Sequence, residues 1–175
     1  MKTLRELTSR YDGAGRIEAI LLRPARHAPI QAVDQVEAIA GSGLAGDRYA
    51  RPVTHGAARK RQVTLIQAEH LPVVAALLGL ATIDPAALRR NLLVSGLNLL
   101  AMRSPFPATT MHWQIGAEVL IEVTGPCEPC SRMETTLGPD GYQAMRGHGG
   151  MTAMVVRGGL VRVGDVVVQS LAPSN

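Results

Sequence analysis

Short apolar segments, each closed by glycine, proline or aspartate, fill most of this sequence. The pattern is clearest at residues 118–124, where Val119, Ile121 and Val123 alternate with mostly polar residues, as in a half-buried strand. The 18 glycines and 11 prolines among 175 residues favour many short strands joined by turns over a few long helices. We therefore predict a single, mainly β domain with a few short helices.

Local sequence patterns also predict the individual helices and strands. A helix is predicted at residues 67–80, with Pro72 in its first turn. Asp84 precedes Pro85 as an N-cap would, which starts a second, short helix ending near residue 90. Because Gly158-Gly159 and Gly164-Asp165 resemble two-residue hairpin turns, we expect the last quarter to be an antiparallel meander. Strands are predicted at residues 17–22, 35–39, 61–66, 92–94, 118–124, 151–157, 160–163 and 166–169.

Charge and hydropathy narrow the possible partners. The net charge is +4, and the basic residues are dispersed except at residues 59–61, whereas nucleic-acid binders usually concentrate them and add stacking aromatics. We therefore expect a small anionic ligand and no nucleic acid. The start of the chain is polar, and the longest apolar run, residues 73–80, is too short for a bilayer. A cytoplasmic protein with reduced thiols and no membrane partner is expected.

The only two cysteines follow the strand at residues 118–124, in the order Cys127-Glu128-Pro129-Cys130. The spacing is that of a thioredoxin-type dithiol, but no βαβ unit is predicted around it. Structural zinc would need four ligands, and only His148 follows. Two buried core cysteines are disfavoured by the flanking proline, glutamate and arginine. The fourth possibility is a single thiolate that binds a soft transition metal, for which Cys130 is better placed. The residues alone leave these alternatives open.

An ordered set of short motifs runs from about residue 17 to residue 168. Its members are Gly46-Asp47-Arg48, residues 61–66, Arg89-Arg90-Asn91-Leu92, Ile115-Gly116, Pro129-Cys130, Gly149-Gly150 and Gly164-Asp165. Taken together, the set resembles a stand-alone MOSC domain, the family named for the C-terminal domain of molybdenum cofactor sulfurase. The sequence departs from the family pattern at Arg90, where glutamate or proline is common, and at Cys127, a thiol that many members lack.

The resemblance implies a β-rich fold around a distorted barrel and a pocket for the molybdenum cofactor. Cys130 is then the catalytic residue, as molybdenum ligand or sulfur carrier. Arg89 would grip the cofactor phosphate, and Asn91 would offer a donor and an acceptor to the pterin edge. The further candidates for cofactor binding are Arg61, Arg146, His148 and His55.

Three functions are compatible with these residues and with the resemblance. The first is reduction of a small N-hydroxylated compound, with electrons from a separate redox partner, because two cysteines cannot hold a four-thiolate iron–sulfur cluster. The second is a carrier module that holds a persulfide on Cys130, supplied by a separate sulfur donor protein. The third is a dithiol oxidoreductase that uses Cys127 and Cys130.

Overall fold

The computed structural model describes residues 1–50 and 59–171, in which strands predominate over four short α-helices. The strands are β1 (Ala14–Leu22), β2 (Gln31–Val33), β3 (Gln35–Ile39), β4 (Gly43–Leu44), β5 (Val63–Gln67), β6 (Leu92–Ser95), β7 (His112–Ile115), β8 (Val119–Pro126), β9 (Met151–Arg157), β10 (Gly159–Arg162) and β11 (Val166–Ser170). The helices are α1 (Leu4–Ser9), α2 (His70–Leu77), α3 (Arg132–Leu137) and α4 (Gly141–Ala144), with 3-10 turns at Pro85–Leu88 and Leu99–Met102.

Seven of these strands close into a barrel, as the resemblance implied. Their order is β11-β7-β8-β9-β5-β6-β1, and β1 pairs back with β11 through Ala14 opposite Val168. Strand β2 lies outside this ring, against β1. Closure removes the unpaired strand edges that an open sheet would present.

Alternating side chains fill the barrel, because every second residue of a strand points to the same face. The core is aliphatic apart from Trp113, which is fully buried and donates from Nε1 to the Met102 carbonyl oxygen at 2.8 Å. The alternation predicted at residues 118–124 is confirmed, since Val119, Ile121 and Val123 are all buried in this core.

One layer of helices covers the barrel at β5. This strand is buried on both faces: Leu65 belongs to the barrel core, and Ile66 belongs to a second apolar cluster formed with residues of α2, α3 and α4. Strand β5 runs parallel to β6, with α2 between them in sequence, while the other pairs of the barrel are antiparallel. The sequence analysis did not predict this parallel crossover.

The predicted C-terminal meander is wrong. Strand β10 leaves the barrel and pairs with β3, which pairs in turn with β4, so these three form a separate small sheet. The physical reason lies at the preceding glycines. A Cβ at Gly158 would lie 2.6 Å from the Ala38 carbonyl oxygen, and Gly159 has φ +149°. The glycine pair therefore lets the chain cross closely over β3 and does not make a hairpin turn.

Other local predictions are confirmed within a few residues. Strands β3 and β9 have the predicted bounds, and α2 is a shortened form of the helix predicted at residues 67–80, with Pro72 in its first turn. Asp84 caps the following 3-10 turn by accepting from the Ala86 backbone N–H at 2.9 Å. Among residues 1–50 and 59–171, no helix is both long and apolar enough to cross a membrane.

Candidate active site

The two cysteines lie on a loop between the end of β8 and the start of α3, which we call the cysteine loop (residues 127–131). Cys127 is 1% exposed, and its backbone N–H donates to the Gly150 carbonyl oxygen at 2.8 Å. Cys130 is exposed, and its carbonyl oxygen accepts from Met133 N–H in the first turn of α3 at 2.9 Å. One thiol is therefore buried and the other open to solvent, as the flanking residues predicted when they disfavoured burial of both.

The paired glycines 149 and 150 fix this loop against the barrel. A Cβ at Gly149 would overlap the Cys127 carbonyl oxygen, and a Cβ at Gly150 would overlap the Leu65 carbonyl oxygen of β5. Gly150 also has φ +86°, a conformation that side chains other than glycine rarely adopt. Glycine is therefore required at both positions for residues 149 and 150 to fit between the cysteine loop and β5.

A buried arginine connects the cysteine loop to its surroundings. Arg90 donates from Nε to the Gly149 oxygen at 2.8 Å, from Nη1 to the Leu88 oxygen at 2.8 Å, and from Nη2 to the Cys127 oxygen at 3.4 Å. Burial lowers the pKa of Arg90, while the negative charge of the Cys127 and Cys130 thiolates would raise it. The two departures from the family pattern, Arg90 and Cys127, are therefore in direct contact.

Asn91 lies at the centre of a buried polar network. Its Oδ1 accepts from Arg23 Nη2 at 2.6 Å and from the backbone and hydroxyl of Thr64 at 3.1 and 3.0 Å. Its Nδ2 donates to Asp47 Oδ2 at 2.8 Å and to the Leu21 oxygen at 3.2 Å. The side chain is completely buried, and its amide is fully occupied inside the protein. Its contact with a cofactor stays a prediction, and its observed contacts support the barrel wall.

Asp47 is the acid of this network. It pairs with Arg23 at 2.9 Å and not with its neighbour Arg48, and both side chains of the pair are 5% exposed or less. Burial raises the pKa of Asp47, but the hydrogen bonds and the charge of Arg23 outweigh burial and hold that pKa below its ordinary value. The Asp47 carboxylate is therefore ionised at neutral pH.

Arg89 anchors a neighbouring segment. It ends the 3-10 turn with φ 57°, and its guanidinium donates to the carbonyl oxygens of Ala28 at 3.0 Å, Ala25 at 3.3 Å and Arg26 at 3.4 Å. Backbone carbonyls leave the positive charge of an arginine unneutralised, so Arg89 keeps an electrostatic preference for an anion.

Several cations gather around Arg89. Burial lowers the pKa of Arg89, and the nearby charges of Arg132, Arg48 and Arg23 lower it further, with Asp47 opposing them. Arg48 Nε is buried without a hydrogen-bond partner among the described residues. We call Arg48, Arg89 and Arg132 the arginine cluster. Because Arg132 begins α3, this cluster adjoins the cysteine loop and forms an environment suited to an anion.

The remaining predicted residues make other contacts. Arg61 is exposed, and its Nη2 lies 3.4 Å from the Cys127 sulfur. Arg146 is exposed, with Nη1 3.3 Å from Gln143 Oε1. His148 is half-buried and contacts His70 edge-on, with ring centroids 4.8 Å apart. His55 lies outside the described residues, so the prediction for it stays a prediction.

His148 lines a cavity of about 420 Å³ beside the cysteine loop. Its walls also include Gln67 at the end of β5, His70 at the start of α2, and Cys127. Sequence reasoning missed His70, because a histidine at the start of a helix carries no local signal of function. It also missed Arg23 and Thr64 as partners of Asn91, since residues so distant in sequence meet only in the fold.

Comparisons with known proteins agree with this architecture. The chain is similar in structure to the YuaD protein of Bacillus subtilis, with a TM-score of 0.74 and 19% identity over 91% of this chain and 97% of that one. It is also similar to YiiM of Geobacillus stearothermophilus, with a TM-score of 0.67 and 17% identity over 89% and 75% of the two chains. For YiiM of Escherichia coli the values are 0.64 and 20%, over 91% and 72%.

At sequence identities of 17–20%, these structural similarities show a shared fold. No curated protein sequence matches the chain significantly. The family model of the MOSC domain matches residues 52–168, which include the arginine cluster's Arg89 and Arg132, both cysteines and the glycine pair. On that match, and on the closed barrel that carries these residues, the chain belongs to the MOSC domain family.

Proposed function

We propose that this MOSC protein binds the molybdenum cofactor, with Cys130 as the protein's ligand to the metal, and reduces N-hydroxylated compounds. The observation that carries the proposal is the placement of Cys130. It is the exposed cysteine of the described residues, and it lies on a loop fixed by Arg90 and flanked by the arginine cluster. Family membership supports a cofactor of this type.

The residues present fit such a cofactor. Its phosphate and dithiolene are anionic, and the arginine cluster offers cations, while Asp47, the acid whose charge acts on Arg89, is already paired with Arg23. Arg48 Nε, buried and unpartnered among the described residues, is a donor that an anion would satisfy. No three histidine, cysteine or acidic side chains of the described residues converge to hold a metal on their own. A single thiolate therefore suits a metal that arrives already bound to its cofactor.

The chain's own groups would act by position and charge. Arg90 donates to the Cys127 carbonyl oxygen of the cysteine loop and to the Gly149 and Leu88 oxygens beside it, which would help to fix the position of Cys130. The arginine cluster would bind the phosphate. When bound, the cofactor supplies two-electron oxygen-removal chemistry. The substrate R–NH–OH takes up two electrons and two protons to give R–NH₂ and water, and a separate redox partner provides the electrons.

Matched serine variants of the two cysteines test this proposal. The protein is made in a host that synthesises the cofactor, and bound molybdenum and reduction of N6-hydroxyadenine are measured. Cys130→Ser should lose most of the molybdenum and the activity, since it removes a metal–thiolate bond and its charge. Cys127→Ser should keep most of both. Full activity in Cys130→Ser would reject the ligand assignment, and equal losses from both variants would favour the dithiol mechanism.

A sulfur-carrier function is the second candidate, and the exposure of Cys130 favours it. A persulfide must be accessible both to a donor protein and to an acceptor, which an open thiol allows. Intact mass measurement of the freshly purified protein distinguishes the two. A single added sulfur atom on Cys130 without bound molybdenum supports the carrier, whereas stoichiometric molybdenum supports the reductase.

A further inference from the structure

Another cavity, of about 450 Å³, is lined by helix α1, by the 3-10 turn Leu99–Met102 and by the barrel. Its apolar lining includes Leu7 of α1, Leu100 of the turn, and the paired residues Pro126 of β8 and Met151 of β9. A volume of this size lies within the range of small-ligand sites. Because its walls come from separate parts of the chain, the cavity is a product of the tertiary fold.

Apolar surface is left uncovered on two walls of this cavity. No residue of α1 is buried, and hydrogen bonds hold the C-terminal end of the helix, where Gln169 donates to the Ser9 oxygen and accepts from the Tyr11 N–H, both at 2.7 Å. Leu7 of this helix is 57% exposed, and Leu100 of the turn is 68% exposed. An apolar ligand group in the cavity would remove part of this surface from water, which is favourable.

The charges that line the cavity are all positive. They belong to Arg10 and Arg103, and no aspartate or glutamate of the described residues lines it. Arg10 is already paired with Asp12 at 2.7 Å, but the guanidinium of exposed Arg103 has no hydrogen bond or ion pair with a described residue. Three polar side chains of the lining already hydrogen-bond to backbone groups within four residues, namely Thr8, Asn98 and Ser104. Arg103 is therefore the group with an unused preference for an anion.

We propose that this cavity binds a small amphipathic carboxylate, with its aliphatic chain against Leu7, Leu100 and Met151 and its carboxylate on Arg103. The apolar walls select the chain, and the two arginines select the head group, since they would repel a cation. The inference does not depend on the proposed function, because neither Cys130 nor any member of the arginine cluster lines this cavity.

Binding of decanoate to the cofactor-free protein tests the site directly. With methionine methyl groups labelled for NMR, decanoate should shift the signals of Met111 and Met151, which line the cavity, in a saturable way. The signals of Met133 and Met145, which lie in the helical layer, should stay unchanged. Decanol, which has the same chain and no charge, should bind more weakly, and decyltrimethylammonium should bind weakest. Added salt should weaken binding of decanoate more than that of decanol, because Arg103 is exposed and its charge is screened.

Two pairs of variants separate the roles of charge and apolar surface. Arg103→Gln should weaken decanoate binding about tenfold or more and leave decanol unchanged, whereas Arg162→Gln, at an exposed arginine of β10, should match the wild type. Leu7→Asp should weaken binding of both probes about tenfold. Leu4→Asp is its control, since Leu4 is 66% exposed on the same helix and does not line the cavity. All four positions are exposed, and far-UV circular dichroism checks that each variant is folded.

Three outcomes would overturn the proposal. The first is that decanoate shifts neither Met111 nor Met151, and the second is that Arg103→Gln and Arg162→Gln bind decanoate equally. The third is that the wild type binds vesicles of phosphatidylglycerol, or forms a dimer that Leu7→Asp dissociates, while free decanoate does not bind. In that case the apolar walls are covered by a membrane surface or by a second copy of the chain.

Discussion

Replacing Asn91 with alanine should destabilise the cofactor-free protein by about 3–5 kcal/mol. The Asn91 side chain makes five hydrogen bonds in a fully buried position, to Arg23, Asp47, Leu21 and both the backbone and hydroxyl of Thr64. Alanine would leave the Thr64 backbone N–H without its acceptor and remove one bond from the guanidinium of Arg23. Each orphaned buried group costs about 1–3 kcal/mol, and a charged group costs more.

The measurement is urea unfolding followed by far-UV circular dichroism, supported by thermal unfolding. For a domain of this size the midpoint temperature should fall by roughly 6–20 °C. Asn98→Ala is the matched control, since Asn98 caps the 3-10 turn Leu99–Met102 through one hydrogen bond to the Leu100 N–H, and its loss should cost only about 1 kcal/mol.

The outcome separates two roles for Asn91. If the variant unfolds within about 1 kcal/mol of the wild type and instead loses affinity for the cofactor, then Asn91 is a ligand residue, and the network reasoning is wrong. A large loss of stability without cofactor present would assign it to the barrel wall.

Three further results are expected. Because the pKa of Asp47 is held below its ordinary value, its charge contributes stability that is present above about pH 4 and lost below it. In urea titrations Asp47→Asn should therefore be less stable than the wild type at neutral pH, and its free energy of unfolding should change less between about pH 5 and pH 3. Gly150→Ala should be more destabilising than Gly138→Ala in the same assay. The positive φ values of +86° at Gly150 and +89° at Gly138 would strain an alanine by about 1–3 kcal/mol at either position. Only at Gly150 would the added Cβ also overlap a neighbouring atom, the Leu65 carbonyl oxygen. In native protein a thiol reagent should label Cys130 rapidly and Cys127 only after unfolding; equal labelling rates would contradict the difference in burial.

Sequence reasoning succeeded where the physics is local. Alternation of apolar residues predicted most strands, and the Asp84-Pro85 pair predicted the capped turn, because each depends on neighbouring residues. It failed at β10, which has an ordinary strand sequence and whose partner β3 is set by close backbone contact at Gly158. The parallel β5–β6 crossover was missed for the same reason, since the residues of a strand do not specify which strand it pairs with.

The same distinction applies to the candidate site, where features that depend on neighbouring residues were predicted and contacts between distant residues were not. The charged residues next to the cysteines predicted that at most one of the two thiols would be buried, because charged neighbours resist burial. The structure agrees, with Cys127 buried and Cys130 exposed. Asn91 was predicted as a cofactor ligand from the resemblance, since an amide can both donate to and accept from a pterin edge, and that contact stays a prediction. In the fold it meets Arg23 and Asp47, and a single sequence does not reveal such a meeting. The cavity histidine His70 was missed, because only the tertiary structure brings it to His148.

Closure of the barrel ties together distant parts of the polypeptide, with consequences for how the protein reaches its native state. Strand β1 pairs with β11, so Ala14 and Val168 must meet before the ring is complete. Contacts this remote in sequence carry a large loop-closure entropy, and domains dominated by them fold in milliseconds to seconds. During synthesis β1 and β7 would wait as unpaired edges until the last strand left the ribosome. This interval is when the chain is most exposed to aggregation and to chaperone binding.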